Sequence, residues 1–286
     1  MKPLDPRRLL LAAIFCTLAA SSLSGVSEAR GDAGGLDVVI LVDVSRSMLV
    51  GDETHPVGND PERLRWDAVK LVLDLLTEDD RLLVLPFNEE CPAKSPPSTR
   101  RPVPRFSGEP ELRKLDAARR QSMAKEIETF IHKGETPNTD DGGTGILGAL
   151  GEVRPHLDEA RRADGRGEQR PQVVLLLTDG RQDIGTDRLD DTEDDRRVHG
   201  VERKWRADDR IKYFAKNGVR VFTYGLGPAA DMQFLTELAQ RAGGSSFKVE
   251  TNTQLVAEFR RLIWSLRDCW TKRMNLKAGD SSSESL

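Results

Sequence analysis

The chain has 286 residues, enough for one large α/β domain or two small ones. With 37% hydrophobic residues and 24 glycines, its composition is that of an ordinary globular protein. A formal net charge of −4, spread over 31% charged residues, argues against nucleic acid as the main partner.

Residues 1–29 read as a secretory signal peptide: Lys2, Arg7 and Arg8 make a basic start, residues 9–20 an apolar core, and Ser27-Glu28-Ala29 a small-x-small cleavage site. The apolar core is too short for a comfortable membrane span. Cys16 raises a lipoprotein alternative, but Phe15 before it is bulky where such signals want a small residue. No later segment is apolar enough to span a bilayer, so the expected location is exported, periplasmic or extracellular.

After a glycine-rich lead at 30–35, residues 36–42 predict the first strand, in which Val38, Val39, Ile40, Leu41 and Val42 are apolar without alternation, the pattern of a strand buried on both faces of a parallel sheet. Residues 48–59 form a polar loop. Asp60-Pro61 predicts a helix cap with proline at the first helical position, and the helix runs to about Leu76. Residues 81–87 are a second strand. The Pro- and Arg-rich stretch 89–110 holds a candidate edge strand at 102–106, since edges tolerate proline. Residues 111–133 predict a charged amphipathic helix with Leu112, Leu115, Met123 and Ile127 on its apolar stripe, and 145–157 another helix, followed by an exposed polar segment at 158–170. Residues 172–178 form a fourth strand, and 181–197 a long acidic insertion. A helix at 201–217 stops at Gly218, 219–227 is a fifth strand, Asp231 caps a helix ending at Gly243-Gly244, and 246–249 is a last strand. Thr253 caps a final helix whose Leu255, Phe259, Leu262, Ile263 and Leu266 recur at helical spacing. Residues 267–286 are expected to be a disordered tail. Strands alternating with helices imply right-handed crossovers and a sheet covered on both faces.

The chemistry concentrates where the first strand ends. Asp43, Ser45 and Ser47 follow at i, i+2 and i+4, a spacing that in a curling loop turns three short oxygen-bearing side chains toward one point. Carboxylate and hydroxyl oxygens with water suit a hard cation such as Mg²⁺, at roughly 2.0–2.1 Å. Such a triplet alone also fits a capped strand-to-helix loop. Two further stretches accompany it: Gly142-Gly143-Thr144, opening an apolar helix, and the buried strand 173–178 ending on Asp179-Gly180. In an open α/β sheet, ligands bind beyond the carboxyl ends of the strands where strand order reverses.

The three motifs DVSRS, GGT and LLLTDG, in that order, resemble the von Willebrand factor A (VWA) domain family with its metal-ion-dependent adhesion site (MIDAS). The resemblance covers about residues 36–266. It implies a Rossmann-like, doubly wound, mostly parallel six-stranded sheet in the order 3-2-1-4-5-6, strand 3 an antiparallel edge, with helices on both faces. It also implies a cation, Mg²⁺ or in its place Mn²⁺ or Ca²⁺, held at Asp43, Ser45, Ser47, Thr144 and Asp179. Ser45 and Ser47 would bind it directly, Thr144 directly or through water, and the two aspartates through hydrogen bonds to hydroxyls and waters. Hydroxyls leave the ion's charge largely unneutralised, so an Asp or Glu of a protein partner would complete its shell. The implied function is partner binding and not catalysis.

Rival readings differ in residues. A phosphoryl-transfer site of the haloacid dehalogenase type needs a second Asp where Ser45 stands. A serine hydrolase needs flanking glycines and a nearby His, and His55, His132, His156 and His199 all fall in loops or at helix ends by this reading. A metal-dependent hydrolase, or a structural subunit of an envelope complex whose metal only staples loops, are the alternatives to adhesion. Gly143-Thr-Gly145-Ile-Leu-Gly148 mimics a dinucleotide fingerprint but does not follow a strand. The acidic insertion reads as a solvated loop or as a Ca²⁺ site using Asp187, Asp190, Asp191 and Asp194. Cys91 and Cys269 fall toward opposite faces, which disfavours their pairing within one chain.

Overall fold

The unalternating run Asp37–Asp43 is β1, and all of its residues are buried. The computed structural model describes residues 35–50, 57–88, 111–134, 144–164, 170–180 and 209–281, all within the compact unit Gly34–Leu286. The expected signal peptide, the edge strand at 102–106, Gly142, Gly143, the acidic insertion, Cys91 and the side chain of Cys269 lie outside the described residues.

Around β1 stand β2 (Arg81–Phe87), β3 (Arg113–Lys114), β4 (Gln172–Thr178), β5 (Arg220–Leu226) and β6 (Ser246–Val249). Their order is β3-β2-β1-β4-β5-β6; β3 is antiparallel and every other pairing is parallel. The expected sheet is therefore the observed one. Alternate side chains of β1 go to separate cores, as the two-residue period of a strand requires. Val38, Ile40 and Val42 pack with Trp66 and Val72 of α2 (Leu64–Leu75), Met123 and Ile127 of α3 (Ala117–Gly134), and Leu255, Phe259 and Ile263 of the C-terminal helix. Val39 and Leu41 pack with Ile146, Leu150 and Val153 of α4 (Ile146–Ala163), Phe214 of α5 (Asp209–Lys216), and Leu235 and Leu238 of α6 (Met232–Arg241). Fully burying each such aliphatic side chain contributes about 1.5–3 kcal/mol, so β1 is held from both sides. A single helical turn, α1 (Arg46–Leu49), follows β1, and α7 (Asn252–Ser281) closes the chain. No helix among the described residues is long and apolar enough to cross a membrane.

Several boundaries differ from the sequence expectation, each for a local reason. α2 begins at Leu64, not at Pro61: Asp60 still caps it, accepting from Leu64 N (2.6 Å) and Arg65 N (3.1 Å), but Arg63 takes the left-handed conformation (φ 59°) and the buried Arg65 guanidinium clamps the Asp60 carboxylate. The segment expected as the first turn of a helix at 111–133 is instead the edge strand β3. Asp116 accepts from Arg119 N and starts α3 after it, and Leu115 between them is buried and donates its N–H to the Asp80 carbonyl. α4 runs on past Leu157 to Ala163 because Leu157 and Ala160 continue its buried stripe. Thr251, not Thr253, caps α7, its hydroxyl accepting from Gln254 N. α7 also continues beyond Leu266 to Ser281, with no proline in the stretch to stop it. Arg267 anchors it there, donating to Asp80 Oδ2 (2.5 Å), and the same Asp80 receives the N–H groups of Leu36 and Thr77.

The amino-terminal edge of the sheet is closed by a buried ionic cluster. Arg81 donates to both oxygens of Asp37 (2.7 and 2.8 Å) and both of Asp164 (3.1 and 2.7 Å). Gln172 donates to Asp37 Oδ2 and to the Leu157 carbonyl, and Arg161 donates to Gln172 Oε1. The carboxyl-terminal edge carries the candidate site.

Candidate functional site

Asp43 is the last residue of β1 and Thr178 the last of β4. Because Val42 lies opposite Leu177 in the parallel ladder, the two reach the sheet edge side by side. Thr178 Oγ1 donates to Asp43 Oδ2 (2.5 Å) and accepts from Gly180 N (3.0 Å), while Asp43 Oδ1 accepts from Ser45 N (2.8 Å). The chain turns sharply after Asp179 at Gly180, whose φ of +77° suits glycine and where a Cβ would lie 2.8 Å from the Leu235 side chain. Asp43 and Asp179 are both fully buried.

Ser45 stands at the start of α1 in extended conformation, yet its hydroxyl does not cap the turn. Instead Ser45 Oγ lies 3.1 Å from Ser47 Oγ. The i, i+2 spacing thus brings the two hydroxyls together, with Arg46 between them turned out to solvent. Ser45 is 3% exposed and Ser47 half-buried, so the pair lies at the boundary between the loop and the carboxylates beneath it.

Thr144, the third expected contributor, is buried immediately before α4. Gly145 N–H donates to the carbonyl of Asn88, the residue after β2, at 2.8 Å, and Val44 N–H donates to the carbonyl of Phe87 at the end of β2, also at 2.8 Å. The segments carrying Asp43, Ser45, Ser47, Thr144 and Asp179 therefore all leave the same edge of the sheet, above β2, β1 and β4.

The electrostatics follow from the burial. The Asp43 carboxyl is pushed up to about 7, first by loss of water and next by the charge of Asp179; hydrogen bonds from Ser45 and Thr178 only partly offset this. Either a proton or a cation relieves such a pair. Among the described residues no group of three or more His, Cys, Asp or Glu side chains is placed to hold a metal ion. A zinc-type set of soft ligands is thus absent there, and the oxygens on offer are hydroxyls and two carboxylates, donors suited to a hard divalent ion.

Two contributors escaped the sequence reading. Thr178 passed as the last strand residue, although a hydroxyl closing an otherwise apolar strand was the available signal. Asn59 passed as loop, yet its Nδ2 donates to Asp179 Oδ2 (3.0 Å) and its N–H to the Ser47 carbonyl (3.0 Å). The Gly58-Asn59-Asp60-Pro61 cluster marked a tight turn without saying what it would face.

The von Willebrand factor type A domain family model matches residues 37–261. Among solved structures, a von Willebrand factor type A protein from Catenulispora acidiphila superimposes with a TM-score of 0.53 at 19% identity, covering 82% of this chain and 43% of that one. The conserved hypothetical protein BatB from Bacteroides thetaiotaomicron gives a TM-score of 0.51 at 15% identity, covering 82% of this chain and 100% of that one. An aerotolerance-related membrane protein from Bacteroides fragilis gives 0.50 at 15% identity, covering 81% and 100%. This chain thus spans less than half of the first of these proteins. No curated protein matches it in sequence. At such identities the structures speak for the fold, and the match to the family model across most of the chain settles membership: the protein belongs to the von Willebrand factor type A domain family.

Proposed function

We propose that this is an exported protein that binds a protein partner through a divalent cation, Mg²⁺ or in its place Mn²⁺ or Ca²⁺, completed by an Asp or Glu carboxylate of that partner. Domains of this family are protein-interaction modules, commonly with a divalent metal at such a site, and most are not enzymes. The observation that carries the reading here is the pair of Ser45 and Ser47 hydroxyls 3.1 Å apart beside two fully buried carboxylates at the edge of the sheet.

The residues divide the work by chemistry. Ser45 and Ser47 hold the ion through their hydroxyls, and Thr144 contributes its own directly or through water. Asp43 and Asp179 orient those hydroxyls and any bound waters, as hydrogen-bonded groups behind metal ligands do. With neutral hydroxyls next to the ion, its charge stays available to an incoming carboxylate. Export rests on the basic start, apolar core and small-x-small site of residues 1–29, and places the protein in the periplasm or outside the cell.

The test is capture of partners from an envelope fraction by wild type and Ser45→Ala, with Mg²⁺ or EDTA. Capture that needs Mg²⁺ and is lost in Ser45→Ala, with the fold intact in EDTA, supports the proposal. Unfolding on chelation would favour a purely structural metal. A turnover activity that disappears with Ser45 would replace adhesion by catalysis.

A further inference from the structure

Residues 57–60 form a strap pinned across the candidate site. Asn59 N–H donates to the Ser47 carbonyl (3.0 Å) and Asp60 N–H to the Met48 carbonyl (2.7 Å), tying the strap to the loop that carries Ser45 and Ser47. From the strap, Asn59 Nδ2 crosses to Asp179 Oδ2 (3.0 Å) on the β4 side. Two glycines clear the space it occupies. A Cβ on Gly58 would lie 2.4 Å from the Leu49 backbone, and one on Gly227, at the end of β5 with φ +82°, would lie 2.3 Å from the Asn59 carbonyl oxygen. On its far side the strap is fixed by Asp60, which caps α2 and is clamped by the buried Arg65. One residue thus joins the serine loop, through its backbone N–H, to the second aspartate, through its side chain, and the bonds of Asp60 hold the strap in place.

We propose that Asn59 is a positioning residue of the site: its amide orients the Asp179 carboxylate and fixes its distance from the Ser47 loop. The inference rests on the metal-binding reading above. An amide is well chosen for this task. It donates one hydrogen bond to the carboxylate without cancelling its charge, whereas Lys or Arg there would neutralise the negative field that attracts a cation. Preorganising the second aspartate spares the ion the cost of ordering it.

The experiment is calorimetric titration of Mn²⁺ into wild type, Asn59→Ala and Leu157→Ala, with urea unfolding of each in EDTA. Residues that hold metal ligands through hydrogen bonds typically change affinity about 10–100-fold when removed. Asn59→Ala is expected to weaken Mn²⁺ binding by that order while still unfolding cooperatively in EDTA. Leu157→Ala, a core truncation near the opposite edge, is expected to lose stability and keep its Mn²⁺ affinity, which separates positioning from general loosening. Should Asn59→Ala not fold, Asn59→Leu, close to Asn in shape and lacking the donor, takes its place. Unchanged Mn²⁺ affinity in the Asn59 variant overturns the inference alone. Failure of wild type to bind Mn²⁺ overturns the metal reading and the inference with it.

Discussion

The buried carboxylate at the end of β1 makes the stability of the metal-free protein depend on pH in an unusual direction. Asp43 is raised from 3.8 to about 7 in the folded state, so between those values the native protein holds a proton that the unfolded chain has released. Stability from this group is present at low pH and is lost as pH climbs through about 7. A difference of about three pKa units at 1.36 kcal/mol each makes the loss about 4 kcal/mol. Asp43→Asn keeps the shape and never ionises. In EDTA, urea unfolding followed by far-UV circular dichroism should therefore find the variant close to wild type near pH 4 and more stable than wild type by pH 8. With saturating Mg²⁺ the order at pH 8 should reverse, since the cation offsets the charge in wild type and the variant binds it poorly. A stability difference between the two proteins in EDTA that does not change from pH 4 to pH 8 would refute the reasoning.

Other expectations follow from single contacts. Ser45→Ala should abolish Mg²⁺ or Mn²⁺ binding in a titration while lowering stability in EDTA by only about 1 kcal/mol, because the buried hydroxyl bonds to Ser47 and Asp43 but caps no helix. Arg81→Met leaves Asp37 buried with only part of its partners, and breaking a buried pair in this way costs about 3–5 kcal/mol. Urea denaturation should show that loss with Mn²⁺ affinity intact, since the pair lies at the opposite edge from the site. Asp231→Ala removes the acceptor for Phe234 N at the start of α6, a cap worth about 1 kcal/mol, readable as a lower urea midpoint.

The sheet was legible because its strands are signalled by what they bury. Residues 37–43 and 172–178 contain no alternation, since both faces of each are covered, and the switch point between them follows from strand order alone. The grouping of candidate residues was legible where they sit at a strand end within a few residues of one another, as Asp43, Ser45 and Ser47 do. What stayed hidden depends on partners far apart in sequence. Nothing near Asn59 announces Asp179, 120 residues on. Nothing in the stripe of residues 111–133 shows that residues 113–114 would pair with β2, because a two-residue edge strand has no period of its own to read. The extension of α7 past Leu266 depends in the same way on Asp80, a residue 187 positions earlier.

β1 carries an aspartate at each tip, and the fold treats them oppositely. The lower one, Asp37, is fully matched in-house by Arg81 and Gln172, while the upper one, Asp43, is held under tension beside a second negative charge. The molecule thus keeps its charge-satisfied and its charge-unsatisfied carboxylate on separate ends of one seven-residue strand. Reinforcing the lower end is a route to a sturdier scaffold that leaves the candidate site alone, and redesigning the upper end is a route to testing the proposed cation binding without disturbing the ionic cluster at the lower end.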